Sequence, residues 1–180
     1  MACLQKFNAD LSWSCSSDSR GHTLGKYTEA ILINAADIKS FVGGIKGASA
    51  TLTLFEGKKG SVIEVVNNGF KVSVARKGGE MFPVMYDPSI TMKLPNAPLF
   101  SEENGAANDL VNSSFVIALK DTLGYTLFGL GAPLVCTEIE GDSTASEHLT
   151  VTFGTDEGQT GSTIYGLSIA MYESLKVPAE

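Results

Sequence analysis

Two apolar runs joined by a short turn constrain the fold of this sequence most. Residues 115–120 are FVIALK, residues 121–124 are DTLG, and residues 125–130 are YTLFGL. A strand with one face in water alternates apolar and polar residues, whereas both of these runs place apolar side chains on both faces. We therefore predict a β-hairpin that is buried on both sides, either between two sheets of one chain or between subunits.

The remaining segments are typical of a mainly β protein. β-branched or alternating residues occur at 50–55, 61–66, 70–75, 81–86, 89–94, 133–140, 148–153 and 162–172. Asn-Gly between the second and third of these segments predicts a further hairpin. In the last segment, alternation puts Tyr165, Leu167, Ile169 and Met171 on one face of a predicted strand.

Helical signals are few. Ser101 followed by two glutamates is a helix-start pattern, so we predict one short helix in this region. A single helical turn also fits residues 37–41. The sequence as a whole therefore predicts a β-sandwich or barrel of about eight to ten strands with one short flanking helix.

The length of 180 residues fits one domain with a sizeable core. Residues 1–29 show neither strand nor helix periodicity, and we assign them to an N-terminal arm that precedes a single β-sandwich domain at residues 30–180. Trp13 is the only tryptophan. As a large amphipathic side chain it favours an arm that packs on a neighbouring subunit over a disordered tail.

Composition excludes some classes of protein. The net charge is −7, so the basic surface that binds nucleic acid non-specifically is missing. The same charge fits a surface past which DNA slides, or simply a soluble protein. Three cysteines without a paired spacing predict reduced thiols. We expect neither a signal peptide nor an apolar run of the ~18 residues that span a membrane, and hence a reducing cytoplasm.

Catalytic and metal-binding patterns are not evident. His22 and His148 have no acid or cysteine at ligand spacing, and Cys15 has no neighbouring base. The acids of the loops show no pairing that would support glycoside hydrolysis. We predict no catalytic residue, no metal and no cofactor, so the protein is not expected to be an enzyme. A hydrolase with unrecognised acids is the alternative.

Four basic residues would flank one two-stranded ribbon if residues 61–66 and 70–75 formed a hairpin. They protect an exposed strand edge, as lysine commonly does, or they form a charged rim that meets acidic loops of another subunit. The sequence leaves both interpretations open. With the arm tryptophan and the hairpin aromatics, the predicted interface residues are Trp13, Lys58, Lys59, Arg76, Lys77, Phe115, Tyr125 and Phe128.

Several of these segments together resemble one group of proteins. The apolar strand with its D-x-x-G turn, the aromatic strand ending in FGLG, the following acidic strand and LTVTFG are similar to tail-tube or other tail proteins of Bacteroidetes phages. The central GASATLTLFEGKKGSVIEVVNNGFKVSVARK and the earlier ILINAADI are similar in style. The resemblance is one of pattern and composition and includes no diagnostic motif.

The resemblance implies a virion structural protein, assembled in the host cytoplasm. Tail-tube proteins are small β-sandwiches with a flanking helix, and they form rings, typically hexameric, whose strands join in an inner barrel. Loops and the N-terminal arm bridge stacked rings, and DNA passes through a commonly acidic lumen without specific binding. The expected partners are copies of the same chain and other tail or neck proteins, with no membrane.

Other functions stay open at this point. Tail tube, tail terminator and neck protein are not separated by the sequence, and neither is the tube protein of a contractile injection or type VI-like system. A ligand- or carbohydrate-binding β-sandwich module is an alternative of another class. Such modules stack exposed aromatics on sugars, and this chain has one tryptophan and scattered tyrosines.

Overall fold

The structure, a computed structural model, describes residues 27–43, 49–64, 70–77, 85–95, 106–121, 124–141, 148–156 and 163–176. These residues form β1 (Glu29–Asn34), β2 (Ile38–Val42), β3 (Thr51–Leu54), β4 (Ser61–Glu64), β5 (Phe70–Lys77), β6 (Met85–Pro95), β7 (Ser114–Lys120), β8 (Tyr125–Leu130), β9 (Leu134–Gly141), β10 (His148–Thr155) and β11 (Thr163–Leu167). Two short helices, α1 (Ala106–Asn112) and α2 (Ile169–Ser174), accompany them. The predicted mainly β, sandwich-like fold class is confirmed.

Strand β7 lies at the centre of the topology. It pairs antiparallel with β1 along most of its length, with β8 near its end, and with β9 at its first two residues. The strands β4, β1, β7, β8 and β11 follow one another as neighbours, and β9, β10, β6 and β5 continue as a second run. A separate pair, β2 and β3, completes the strands of the described residues.

Two apolar clusters cover the two faces of the sheet that contains β1, β7 and β8. Core 1 lies between that sheet and the β6–β9–β10 strands, and consists of Ala30, Leu32, Ile90, Met92, Phe115, Ile117, Leu119, Phe128, Leu134, Val151 and Phe153. Core 2 lies on the opposite face under β3 and α2, and consists of Ile31, Ile33, Ala50, Leu52, Val116, Ala118, Leu127, Leu130, Leu167, Tyr172 and Leu175. The fold therefore has three layers with a two-sided central sheet.

The predicted buried hairpin is confirmed as β7 and β8. Residues Phe115–Leu119 are all buried, and alternate side chains enter core 1 and core 2 because successive residues of a strand point to opposite faces. The turn is held by the Asp121 carboxylate, which accepts a hydrogen bond of 2.6 Å from the Gly124 N–H. Both covering layers belong to this chain, so the burial needs no second subunit.

Gly129 marks the point where β8 diverges from β7. Its φ of +83° is a left-handed conformation, and a Cβ built there would lie 2.9 Å from the Phe115 carbonyl oxygen. Glycine alone adopts this backbone without a steric penalty. The glycine of the FGLG segment therefore allows β9 to take over the pairing with the start of β7.

The predicted hairpin across Asn-Gly is wrong. β4 pairs with β1, whereas β5 pairs with β6, so the two segments belong to different parts of the fold. The predicted helical turn at 37–41 is also wrong, because β2 occupies those residues after a short 3₁₀ turn at Ala35–Asp37. Long-range pairing outweighs both local signals.

The last predicted strand is too long. β11 ends at Leu167, and the Ser168 hydroxyl accepts a hydrogen bond of 3.2 Å from the Met171 N–H, which caps α2. This second helix was not predicted. It places Tyr172 in core 2 with no solvent exposure. If the strand had continued, its alternation would have pointed Met171 into the core in place of Tyr172.

A single strand, β6, replaces the two that the sequence suggested at 81–86 and 89–94. Pro88 of β6 pairs with Val74 of β5 on one side. On the other side, the pairing of β6 with β10 ends at Ile90, so Pro88 has no partner in β10. Proline lacks an N–H donor, so it is tolerated where one edge of the strand has no partner. The predicted short helix is confirmed as α1; Ser101 lies outside the described residues.

The predicted arm also lies outside the described residues, and with it Trp13, Cys15 and His22. The first strand of the described residues, β1, begins at Glu29. The side chain of His148 lies outside the described part of β10.

An ion-pair network ties the end of the chain to the start of β1. Lys176 Nζ lies 2.7 Å from Glu29 Oε1 and 3.0 Å from Glu173 Oε1, and 5.1 Å from the centre of the Tyr172 ring. The Glu29 oxygen and the Tyr172 hydroxyl lack a well-aligned hydrogen-bond partner, yet 2.7 Å is contact distance for an ion pair. The network holds α2 over core 2.

Burial alone would raise the pKa of the Glu29 carboxyl. The adjacent Lys176 ammonium and Tyr172 hydroxyl outweigh burial and hold that pKa below its ordinary value of 4.5. The adjacent Glu29 carboxylate raises the pKa of Lys176, and burial followed by the Glu29 carboxylate raises that of Tyr172. The Glu29 carboxylate and the Lys176 ammonium therefore each favour the charged form of the other.

Candidate assembly surfaces

Strand β5 is a long, exposed strand edge. It pairs with β6 on one side, and no strand of the described residues pairs with the other side. Eight residues span about 26 Å. Lys71, Ser73, Ala75 and Arg76 are exposed, and Val74 has 44% of its surface in solvent. We call this unpaired side of the strand the β5 edge.

The outer face of the β9–β10–β6–β5 sheet is polar, because core 1 takes the alternate residues of each strand. Two rows of side chains cross the sheet. In the first, the register joins Lys71 to Thr91, Thr91 to Thr152, and Thr152 to Glu138. The threonine hydroxyls of this row lie 3.2 Å apart, within hydrogen-bond distance.

The second row runs from Lys93 to Thr150 to Glu140. Both rows therefore have a lysine on the β5–β6 side and a glutamate on β9, with hydroxyls between them. Lys93, Glu138 and Glu140 are exposed. The result is a broad hydroxyl-rich face whose positive and negative charges lie at opposite margins.

Helix α1 packs beside β9 at the acidic margin. Leu110 is half-buried against core 1, whereas Asp109 is exposed and Val111 has 55% of its surface in solvent. We call this margin the α1–β9 side. It combines an exposed valine with the carboxylates of Asp109, Glu138 and Glu140.

The four predicted cations do not share one ribbon, which corrects the sequence interpretation. Lys58 and Lys59 lie in the loop between β3 and β4. The Lys58 ammonium lies 3.6 Å from the Asp37 carboxylate, and Lys59 donates a hydrogen bond of 2.6 Å to the Ser174 carbonyl at the end of α2. Only Arg76 and Lys77 belong to β5, and the side chain of Lys77 lies outside the described part of the chain.

The hairpin aromatics are core residues rather than contact residues. Phe115 and Phe128 are buried in core 1, where Phe115 packs edge-on against Phe153 with ring centres 5.5 Å apart. Tyr125 is half-buried at the margin of core 2, 4.6 Å from the ring centre of Tyr172. A neighbouring subunit could not contact the two phenylalanines without opening the fold.

The hairpin of β2 and β3 presents a second apolar surface. Phe41 and Val42 have 48% and 67% of their surface in solvent. An open cleft of about 480 Å³ lies beside them, lined by residues of β2 and by Val116, Leu130 and Pro133. Among the described residues that line it, Lys39 and Ser40 carry the polar side chains, and they do not form a ring of converging polar groups.

Reactive groups are sparse in the described residues. No cluster of three or more histidine, cysteine, aspartate or glutamate side chains there could hold a metal ion. Burial raises the pKa of the Cys136 thiol above its ordinary value, and the hydrogen bond to the Glu138 carbonyl offsets part of this rise. The raised pKa favours the thiol form, which is less reactive than the thiolate.

The described fold thus defines a class: a three-layer, mainly β protein whose most distinctive surfaces are strand edges and a polar sheet face. Comparison of the chain with protein-family models, with curated proteins and with solved structures finds no match. Neither α1 nor α2 has the length and apolar character required to cross a bilayer.

The interface residues predicted from the sequence do not include Lys71, Val74, Glu138 or Val111. Thr150 and Thr152 belong to the alternating segment 148–153, and both lie on the polar face. What the sequence could not supply is the register, which sets each lysine and glutamate in the same row.

Proposed function

We propose that this protein is a structural subunit that self-assembles through its strand edges into a homo-oligomeric ring or tube. The resemblance to tail proteins of Bacteroidetes phages gives the setting, a virion whose tail tube, or a ring of the tail or neck, forms a conduit for DNA. The tube of a contractile injection or type VI-like system would use the same assembly. Sheets that continue from subunit to subunit account for the exposed edge.

The β5 edge is the observation that carries this proposal. A long exposed strand offers unpaired backbone N–H and C=O groups and is an aggregation hazard in a protein that remains monomeric. Val74 leaves an exposed apolar side chain at that edge, between the charged residues Lys71 and Arg76. An ordered contact with further copies satisfies the backbone and covers the valine.

The polar sheet face suits the wall of a DNA conduit. Its threonines and serines and its balanced lysines and glutamates offer no concentrated positive charge to hold phosphates. The net charge of −7 of the chain also opposes binding to a polyanion. We place this face, rather than the apolar β2–β3 hairpin, on the lumen of the ring.

Light scattering and negative-stain electron microscopy of the purified chain over a range of concentrations test the proposal. We expect rings or tubes of many copies of the 19.0 kDa chain. Val74→Glu should abolish them, because the β5 edge would then carry a charge that must be desolvated in the contact. Ala36→Glu adds the same charge at an exposed residue of the 3₁₀ turn and should leave assembly intact.

Two results would contradict the proposal. One is a wild-type chain that stays at the monomer mass at every concentration. The other is a Val74→Glu chain that assembles as well as the Ala36→Glu control.

A further inference from the structure

We propose that the contact between copies is directional: the β5 edge of one copy binds the α1–β9 side of the next. This inference rests on the proposed self-assembly and adds which two surfaces meet. The partner is a second copy of this chain, and complementary charge on the two surfaces identifies it.

The charges of each row explain the direction. Lys71 and Glu138 end the same row on opposite margins of a four-stranded sheet, roughly 14 Å apart, so they cannot pair within one chain. Placing a second copy beside the first, with its rows in line, brings Lys71 of one copy next to Glu138 of the other. Arg76 on β5 and Asp109 on α1 add one further charge of matching sign to each margin.

The apolar residues match as well. Val74 is the exposed apolar residue of the β5 edge, and Val111 is that of the α1–β9 side. Charged residues border each valine: Arg76 and Asp87 lie near Val74, and Asp109 lies near Val111. An apolar centre within a polar rim is the usual arrangement of a protein interface.

A symmetric contact between two β5 edges fits less well. An antiparallel pairing of β5 with its own copy, centred on Val74, sets Lys71 opposite Lys77 in both directions. Like charges directly across a strand pair destabilise it. A head-to-tail contact avoids that repulsion and repeats indefinitely, which gives a closed ring or a filament.

Charge reversal tests the direction. We expect Lys71→Glu and Glu138→Lys each to raise the concentration needed for assembly roughly tenfold or more, since each sets like charges against each other at every contact. The double variant should assemble near the wild-type concentration. A one-to-one mixture of the two single variants should also assemble, because alternating copies pair a lysine with a glutamate at every contact.

Lys39→Glu, at an exposed residue of β2, is the control for a charge reversal outside both surfaces and should assemble like wild type. Thermal unfolding of each variant at low concentration monitors the fold. If both single variants assemble at the wild-type concentration, or if neither the double variant nor the mixture recovers, the directional contact is overturned while self-assembly stands. A wild-type chain that never assembles overturns both proposals.

Discussion

At the scale of single residues, Gly129 shows how one backbone conformation decides the path of the chain. Gly129→Ala should lower the free energy of unfolding by roughly 2 kcal/mol or more, because it combines left-handed strain with a Cβ pressed on the Phe115 carbonyl. Gly131→Ala is the matched control: its φ is +86°, but open space surrounds it, so we expect a cost of about 1 kcal/mol. Urea unfolding measures both, and equal losses would show that the close approach has no energetic role.

The Glu29–Lys176 ion pair gives a pH-dependent prediction at the same scale. Because the folded-state pKa of Glu29 is lowered, its contribution to stability is present above pH 4.5 and is lost as the pH falls through the folded-state pKa. The raised pKa of Lys176 has the opposite sense: its contribution is complete below pH 10.5 and is lost as the pH rises through the folded-state pKa. The pair is therefore most effective between these limits.

Glu29→Gln should lower the free energy of unfolding by about 1.5–3 kcal/mol at pH 7, with a difference from wild type that shrinks in acid. Glu173→Gln removes the other carboxylate beside Lys176, one that is 50% exposed, and should cost no more than ~1 kcal/mol. Denaturant unfolding at a series of pH values makes the comparison. A Glu29→Gln deficit that stays constant down to strongly acidic pH would exclude the ion pair as its cause.

At the scale of elements, the central sheet should be equally sensitive on its two faces. Ile117 in core 1 and Ile33 in core 2 are fully buried, whereas Ile169 at the start of α2 has 64% of its surface in solvent. Replacing either buried isoleucine by alanine should cost about 2–5 kcal/mol, and Ile169→Ala less than ~0.5 kcal/mol. Guanidinium unfolding of the three variants is the measurement. A small effect on one face only would mean that the layer covering that face contributes little to stability.

Elements differ in how far the sequence predicts them. The β7–β8 hairpin is evident from its two apolar runs, because burial on both faces leaves no polar alternation, and β10 is evident from its alternation. The pairing partners of β4 and β5 are not evident from the sequence. The Asn-Gly signal is local, whereas β4 pairs with β1 and β5 pairs with β6, which are other segments of the chain. The start of α2 depends on the Ser168 cap, which the alternating residues on either side of it conceal.

The candidate surfaces were harder to predict than the core for a related reason. Apolar residues predict burial wherever they lie in the sequence. That Lys71 and Glu138 end the same row of side chains is known only from the register of four strands. The aromatic residues of the hairpin drew attention as contacts because two-sided burial fits a subunit interface as well as a core. Only the position of α2 and β3 over core 2 separates the two.

At the scale of the whole molecule, the three layers separate the two cores from the surfaces of the proposed contact between copies. The two cores hold the β1–β7–β8 sheet from both sides, while the β5 edge and the α1–β9 side lie at the margins of the outer sheet. Changes at those margins should therefore alter the association of copies without unfolding a single chain. This separation is what makes the assembly proposals testable by surface substitutions.

Assembly should also appear in the thermal stability of the protein. In the proposed assembly only folded copies bind one another, so the midpoint of unfolding should rise with protein concentration, by mass action, in the range where rings or tubes form. Val74→Glu should remove this dependence and leave the midpoint near that of dilute wild type, since Val74 lies outside both cores. Differential scanning fluorimetry over a hundredfold concentration series would detect the change. A midpoint independent of concentration in samples that contain rings would show that their contacts contribute no stability to the fold.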